Sequence, residues 1–252
     1  MIIDSHAHYE NKRFSPDRHA LISSMPSLGI ELIINSGCDL PSTLECIALA
    51  EEYPFVYATA GVHPHEAKTL TDANLEIIKT HCTHKKVVAL GEIGLDFHYD
   101  FSPRDVQRHW FKRQLIAATE VDLPVVIHSR EADDEVFEII KASPVRRGVI
   151  HSFSGDALLA QKYVDMGFYI GINGVITFDK TGRLAGVVKT IPLDKLLLET
   201  DAPYLTPAPY RGKRNQSNYL THVAEKIAEL QEIDVKTVCD QTSKNVRQLY
   251  NI

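Results

Sequence analysis

Two histidines separated by one residue follow a short apolar run at the start of the chain. His6 and His8 stand just after residues 1–4, Met-Ile-Ile-Asp. Alternate side chains of a β-strand point to the same face, so both imidazoles aim at one point near the strand end. Neutral imidazole is the commonest protein ligand for a divalent metal. The pair predicts a metal site, and its alternative is a polar strand end with two exposed histidines.

Histidines and carboxylates also follow five later apolar runs. They are His63 and His65, Glu92 and Asp96, His128, His151, and Glu199 with Asp201. If these ends meet, four imidazoles and two carboxylates form one candidate ligand set: His6, His8, Glu92, His128, His151 and Asp201. A zinc site takes about four ligands, so six protein ligands suit two divalent ions with water completing each shell.

Two carboxylates of this set have predicted catalytic roles. Glu92 is the natural bridge, because a carboxylate can give one oxygen to each ion. Asp201 can bind one ion and accept the proton from a metal-activated water. Four histidines favour a softer ion such as zinc, whereas magnesium prefers oxygen ligands, and manganese, nickel or iron also fit such a mixed set.

The elements that must position these residues alternate along the whole chain. Apolar, β-rich runs occur at 1–4, 31–35, 55–60, 87–91, 125–128, 148–151, 168–171 and 196–199. Helical patterns lie between them, with Ser102 predicted as the N-cap of one helix and Asp234 as the cap of the last. Continuous apolar runs are typical of parallel strands that are buried on both faces.

Eight such units in 252 residues predict an α/β fold, a (β/α)8 TIM barrel forming a single domain over residues 1–252. The alternative, an open doubly wound sheet, lacks a Gly-x-Gly-x-x-Gly motif after the first strand. In a barrel the active site lies at the C-terminal ends of the strands, where the candidate ligands stand. The main irregular stretch is 202–218, which contains three prolines.

The composition limits the possible partners. The chain is 44% hydrophobic and 24% charged, with a formal net charge of −6. This charge argues against a protein that coats duplex DNA with a broad basic face, but allows an enzyme that grips one nucleic-acid end in a small pocket. The sequence shows neither a run of about 20 apolar residues nor a signal peptide. The absence of such an apolar run predicts no membrane contact. The four cysteines are scattered, which predicts free thiols and a cytoplasmic location. No obligate protein partner is inferred from the sequence.

Taken in order, the motifs resemble those of the TatD family of metal-dependent hydrolases, within the amidohydrolase superfamily, over essentially the whole chain. The motifs that carry the resemblance begin at Asp4 (DSHAH), Gly61 (GVHP), Gly91 (GEIGLD), Val126 (VIHSR), His151 (HSFSG), Leu198 (LETDAPY) and Arg211 (RGKRNQ). The resemblance implies a TIM barrel with one or two divalent metals that hydrolyses phosphodiesters. DNase activity is known for several members.

The resemblance also assigns roles to individual positions. One metal position matches His6, His8, Glu92 and Asp201, and the other matches Glu92, His128 and His151. His63 matches a histidine that lies near the substrate phosphate. Ser217 stands where many members have proline, which predicts a looser loop. Strand four supplies Glu92 rather than a lysine, which favours the TatD-like branch over ring-opening amidases such as dihydroorotase.

Residues around this set have more than one interpretation. Arg130 either binds a phosphate or steadies a ligand carboxylate. Tyr204, Arg211 and Lys213 place cations beside an aromatic ring, a combination that can stack a base and hold a phosphate or simply form a solvated basic loop. Asp96 is a structural cap, a loop hydrogen-bond acceptor or a functional residue, and His65 is predicted to be a surface residue.

The sequence therefore predicts a two-metal hydrolase of phosphodiesters that trims nucleic-acid ends, with single-stranded DNA as the first candidate substrate. A second hypothesis is hydrolysis of an amide or ester in a small molecule, because the same ligands can polarise a carbonyl group. A third is a metal-binding protein without catalytic activity. The sequence leaves DNA against RNA, the polarity of cleavage, the native metal and the oligomeric state open.

Overall fold

A computed structural model describes all 252 residues and contains eight strands. The strands are β1 (Ile2–Ala7), β2 (Ile30–Ser36), β3 (Val56–Ala60), β4 (Val87–Asp96), β5 (Val125–Arg130), β6 (Gly148–Ile150), β7 (Phe168–Ile172) and β8 (Leu196–Leu198). Each strand pairs in parallel with the next, so the order in the sheet is the order in the chain. This order excludes the doubly wound alternative, in which the strand order reverses.

The sheet closes on itself through the segment that follows β8. The Asp201 amide donates to the carbonyl of His6 at 2.9 Å, and the His8 amide donates to the carbonyl of Ala202 at 2.8 Å. The fold is therefore a (β/α)8 TIM barrel in a single domain, as the alternating pattern predicts. These hydrogen bonds also bring Asp201, the last candidate ligand in the chain, next to His6 and His8, the first two.

Nine α-helices surround the barrel. They are α1 (Arg18–Ser24), α2 (Leu40–Glu52), α3 (Asp72–Cys82), α4 (Arg104–Glu120), α5 (Asp133–Ala142), α6 (Ala157–Asp165), α7 (Arg183–Thr190), α8 (Leu220–Gln231) and α9 (Val235–Tyr250). Asp234 caps α9 as predicted, accepting from the Thr237 amide. The predicted Ser102 cap is wrong: α4 begins at Arg104 with Pro103 at its N-cap position, and the Ser102 hydroxyl bonds the 65–68 segment instead. The four cysteines are unpaired, and none of the helices combines the length and hydropathy that crossing a bilayer requires.

The period of two along each strand separates the barrel interior from the helix-facing layer. One buried cluster fills the lower interior, and its strand members include Ile3, Ile34, Val88, Val126, Val149, Tyr169 and Leu197. The C-terminal end of α9 closes this cluster from below with Val246, Leu249 and Tyr250. The larger cluster, between strands and helices, takes the intervening residues such as Ile127, Ile150 and Leu198.

This period explains why the chemistry collects in the barrel mouth. His128, His151 and Glu199 each stand two residues after an interior residue of their own strand, namely Val126, Val149 and Leu197. Side chains two apart share a face, so all three point inward above the apolar plug. The observed bounds differ from the predicted ones in one useful respect: β1 and β4 extend beyond the predicted ends, so that His6 and Glu92 lie within strands. β5 also extends, and His128, the last residue of its predicted run, lies inside it.

Candidate metal centre

His6, His8 and Asp201 form one side of the candidate centre. The Nε2 atoms of the two imidazoles lie 3.0 Å apart. Asp201 Oδ1 lies 3.3 Å from His8 Nε2 and 3.8 Å from His6 Nε2. His8 Nδ1 lies 2.9 Å from the carbonyl oxygen of Ser36, which can only accept, so in the neutral ring Nδ1 carries the proton and Nε2 has its lone pair toward the centre. Such an orienting bond on the far nitrogen is the usual support of a metal-binding imidazole.

Glu92 lies between two sets of imidazoles. Its Oε2 is 3.3 Å from His6 Nε2 and 3.7 Å from His8 Nε2. Its Oε1 faces the other side, 2.9 Å from His128 Nδ1 and 3.8 Å from His151 Nε2. The carboxylate is almost completely buried. Each oxygen therefore faces its own group of donors, which is the arrangement a bridging carboxylate needs, and Arg130 forms no ion pair with it.

Glu199, a residue for which the sequence predicts no role, supports His151. Its Oε1 lies 3.1 Å from His151 Nδ1 and accepts from the Ser152 amide at 2.6 Å. Glu199 is fully buried, and a Cβ on Gly171 would come within 2.3 Å of its Oε2, so only glycine leaves room for the carboxylate. The glycine inside the buried run of β7 was the available sequence signal for a close approach.

Asp96 connects His128 with His65. Its Oδ2 lies 3.1 Å from His128 Nε2 and 2.8 Å from His65 Nε2. Its Oδ1 accepts from the backbone amides of His98 and Tyr99. Asp96 thus combines the loop hydrogen bonds with contact to a predicted ligand. The prediction that His65 is a surface residue is wrong. Three-quarters of its side chain is covered, and Asp96 holds its ring.

His63 faces the centre as a hydrogen-bond donor. Its Nδ1 accepts from the His65 amide at 3.1 Å, so the proton of the neutral ring is on Nε2. That nitrogen lies 3.5 Å from Glu92 Oε1. Burial, together with the neighbouring His128, lowers the pKa of His63 well below its ordinary value, which keeps the ring neutral. The N–H directed into the centre suits contact with an oxygen of a substrate rather than ligation of a metal.

The electrostatics of the centre keep Glu92 and Asp201 ionised, because neighbouring imidazoles lower the pKa of each carboxyl although burial opposes ionisation. Burial opposes ionisation of Glu92, but the imidazoles of His151, His63 and His6 hold its pKa well below the usual range. Burial likewise lowers the pKa of His6. It acts in the same direction on His151, but the charges of Glu199 and Glu92 outweigh it and raise that pKa to about 9. The centre offers ionised carboxylate oxygens and several imidazole nitrogens in one buried space.

The donor set fits divalent cations. Ligand atoms about 2.1 Å from a tetrahedral zinc lie about 3.4 Å from one another, and the distances from Glu92 Oε2 to His6 Nε2, 3.3 Å, and from Asp201 Oδ1 to His8 Nε2, also 3.3 Å, are of this size. Groups of three possible ligands within 4.8 Å of one another include His6, His8 and Asp201, and also His6, Glu92 and His151.

Comparison with known proteins agrees with this geometry. The family model described as TatD-related DNase matches residues 3–251. The chain belongs to this family. A Bacillus subtilis protein named uncharacterized metal-dependent hydrolase YabD is 40% identical over 254 residues, covering all of both chains. A Klebsiella pneumoniae protein named 3′-5′ ssDNA/RNA exonuclease TatD is 33% identical, covering 96% of this chain and 95% of its own. The crystal structure of YjjV, a TatD homologue from Escherichia coli K12, superposes with a TM-score of 0.93 at 32% identity, over 100% and 98% of the two chains.

Membership of the TatD-related DNase family makes the protein a metal-dependent hydrolase. The remaining predicted substrate residues of this TatD-family chain lie in the loops around the centre. Arg130 lies on the rim with its guanidinium 4.8 Å from the Tyr99 ring centroid. Tyr204 is 46% exposed, and its hydroxyl accepts from Asn11. Arg211 packs 3.7 Å above the Phe178 ring.

The cations of the loop after β8 differ in how firmly they are held. Arg211 donates to the Thr206 carbonyl, whereas Lys213 is exposed and makes no ion pair, with its ammonium 5.4 Å from the Tyr210 ring centroid. Arg214 forms a bidentate ion pair with Asp17 and therefore has a structural partner. The structure thus leaves Lys213 as the cation of this loop with the most freedom to meet an anion.

Ser217 tightens this loop in the TatD-family chain, contrary to the prediction. Its hydroxyl donates to Asp4 Oδ2 at 2.7 Å and lies 2.8 Å from the Tyr9 hydroxyl, while its amide donates to the same tyrosine oxygen at 3.0 Å. All three residues are buried. A proline would lack the amide hydrogen and the hydroxyl. Serine therefore fixes the loop through three hydrogen bonds to Asp4 and Tyr9, where proline would fix it through its ring.

Proposed function

We propose that the protein is a two-metal phosphodiesterase that removes nucleotides from single-stranded nucleic-acid ends. The observation that carries the proposal is the position of Glu92, whose Oε2 lies 3.3 Å from His6 Nε2 and whose Oε1 lies 2.9 Å from His128 Nδ1. Under this proposal His6, His8, Glu92 and Asp201 would hold one ion, and Glu92, His128 and His151 would hold the other. Such ions would supply an activated water and would neutralise charge that develops on the phosphoryl oxygens.

The chain's own residues have distinct tasks in this reaction. Asp201 lies at the rim of the buried set with one oxygen toward His8, and it accepts the proton of the attacking water at its carboxylate. His63 donates its Nε2–H to a non-bridging phosphate oxygen. Arg130 adds a positive charge on the rim, and Tyr204, Arg211 and Lys213 contact the nucleotide further from the bond that breaks. Glu92 and Asp96 hold His128 between them, which fixes its ring.

The names of similar proteins support nucleic acid as the substrate. Four further relatives, 32–34% identical to this chain, carry the name 3′-5′ ssDNA/RNA exonuclease TatD. We propose the same polarity for this protein, with digestion from the 3′ end. Hydrolysis of a small ester or amide is the second candidate, because the same donor set can polarise a carbonyl group. A panel of p-nitrophenyl phosphodiesters and carboxylic esters separates the two reactions.

The first test is hydrolysis of end-labelled single-stranded DNA by metal-stripped protein with magnesium, manganese or zinc added back. We expect no cleavage without metal. With a suitable ion, 5′-labelled strands shorten stepwise and 3′-labelled strands release labelled mononucleotide at once, because digestion starts at the 3′ end. The reverse pattern would contradict the polarity. Protein that binds metal but cleaves neither strand would contradict the nuclease, and activity on the ester panel would then favour the second candidate.

Glu199→Gln tests the support of the second ion. The amide keeps the volume of the side chain but removes the negative charge beside His151 Nδ1. The imidazole therefore becomes a weaker ligand for a metal ion. We expect metal affinity at this position to fall about 10- to 100-fold, measured by competition with a chromophoric chelator. Glu31→Gln, at the start of β2 and paired with Arg247, is the matched control and should leave affinity unchanged. Equal affinity in both variants would remove Glu199 from the site.

A further inference from the structure

Two large aromatic side chains lie exposed in the loop between β4 and α4. Tyr99 is 46% exposed and Phe101 is 55% exposed. Their rings are stacked, with centroids 5.2 Å apart and planes inclined by 17°. Exposed aromatic residues that adjoin one another are costly to leave in water and commonly mark a binding surface. We call Tyr99 and Phe101 the aromatic pair.

The aromatic pair is continuous with the candidate metal centre. The His65 ring packs edge-on against both members, with centroids 5.4 Å from Tyr99 and 4.8 Å from Phe101. On its other side this ring lies 6.3 Å from the ring of His128. One imidazole thus separates the pair from a proposed metal ligand, so a molecule bound at the centre can reach the pair.

The loop that carries the aromatic pair is held in place before any ligand binds. The Tyr99 amide donates to Asp96 Oδ1 at 3.0 Å. The buried Ser102 hydroxyl donates to the His65 carbonyl at 2.8 Å and accepts from the Lys68 amide at 3.0 Å. Because these bonds fix the backbone on both sides of the pair, stacking on it requires little further ordering.

A guanidinium without an ion-pair partner lies beside the aromatic pair. The Arg130 guanidinium lies 4.8 Å from the Tyr99 ring centroid and has no carboxylate within ion-pair distance. Two nearby acidic groups have other partners: Asp100 forms an ion pair with Arg104, and Glu131 Oε1 lies 2.6 Å from His98 Nδ1. An unpaired guanidinium next to exposed rings is suited to a ligand that combines a flat π-system with an anionic group.

We infer that Tyr99 and Phe101 form a stacking platform for a nucleobase adjacent to the phosphodiester bond that is cut, with Arg130 binding a neighbouring phosphate. This inference rests on the proposed nuclease function and deepens it. A base has the flat face that the rings can cover and is linked to the anion that Arg130 can hold. Sequence-independent single-strand binders combine these two elements, and each stacked base contributes about 1–3 kcal/mol to binding.

The test compares two single-stranded oligodeoxynucleotides, one normal and one with abasic residues at its 3′ end. With the normal strand, the Y99L/F101L double variant should lose about 5- to 150-fold in kcat/KM, mainly through KM, as expected for loss of one stacked base. With the abasic strand, wild type should lose a similar factor and the double variant should lose nothing more. Tyr99→Phe keeps an aromatic ring at this position, so this single variant should retain most of the wild-type kcat/KM.

Tyr57→Leu is the matched control, because this partly buried ring also carries a cation, Lys86, 4.4 Å from its centroid but near the N-terminal end of β3. It should leave kcat/KM unchanged. A strand with 2-aminopurine at its 3′ end gives a second readout, since stacking on the pair should quench its fluorescence in wild type and not in the double variant.

The outcomes separate this inference from the proposed function. Cleavage of the normal strand at the wild-type rate by the double variant, or equal wild-type rates on both strands, would overturn the platform and leave the nuclease intact. Wild-type protein that cleaves neither strand with any added ion, but hydrolyses p-nitrophenyl esters, would overturn the nuclease and the platform together.

Discussion

Glu92→Ala should abolish turnover while the barrel stays folded. Both oxygens of this carboxylate face imidazoles, Oε2 toward His6 and Oε1 toward His128. Without it the two proposed ions share no ligand. A metal centre contributes several kcal/mol of transition-state stabilisation, so kcat/KM should fall by roughly three orders of magnitude or more. The measurement is hydrolysis of labelled single-stranded DNA, with bound metal counted by atomic absorption.

The fold should survive this substitution, because Glu92 contacts the polar residues of the mouth rather than the apolar plug below them. Circular dichroism and thermal unfolding of the metal-free variant check this point. Glu92→Gln keeps the volume and one oxygen, so it should retain one ion and a trace of activity. Glu31→Gln again serves as the control for a carboxylate at the other end of the barrel. Wild-type rates in folded Glu92→Ala would disprove the two-metal mechanism.

The barrel and the candidate ligands were predictable because a local rule places them. Strands with interior residues such as Val126 and Val149 present the residue two positions later to the same interior, and there stand His128 and His151. The pattern of apolar runs that end in histidine or carboxylate therefore predicts both the barrel and the position of the site. The boundaries were less predictable, since hydrogen bonding of the barrel extends β4 through Asp96, beyond its apolar run.

The supporting contacts were not predictable from spacing, because they join distant parts of the chain. His65 and Asp96 are 31 residues apart, and Ser217 and Tyr9 are 208 apart. Glu199 follows an apolar strand just as Glu92 lies in one, and only the packing against Gly171 and His151 distinguishes a supporting carboxylate from a central one. The stacked Tyr99 and Phe101 likewise depend on the fixed loop after β4, for which the sequence has no periodic signal.

Asp201→Asn should lower kcat about 10²- to 10⁴-fold, the usual contribution of a positioned acid or base, while metal content changes little. The substitution is locally conservative. Asp201 has a φ of 56°, in the left-handed region that asparagine also enters readily. The hydrogen bond from its backbone amide to the His6 carbonyl does not involve the side chain. The amide oxygen can still meet His8 or a cation, but asparagine cannot take a proton from water at neutral pH. KM should therefore stay near its wild-type value while kcat falls, in steady-state assays on the preferred ion. A variant that loses metal but, when saturated with it, regains full kcat would show that Asp201 acts only as a ligand and that the proton goes elsewhere.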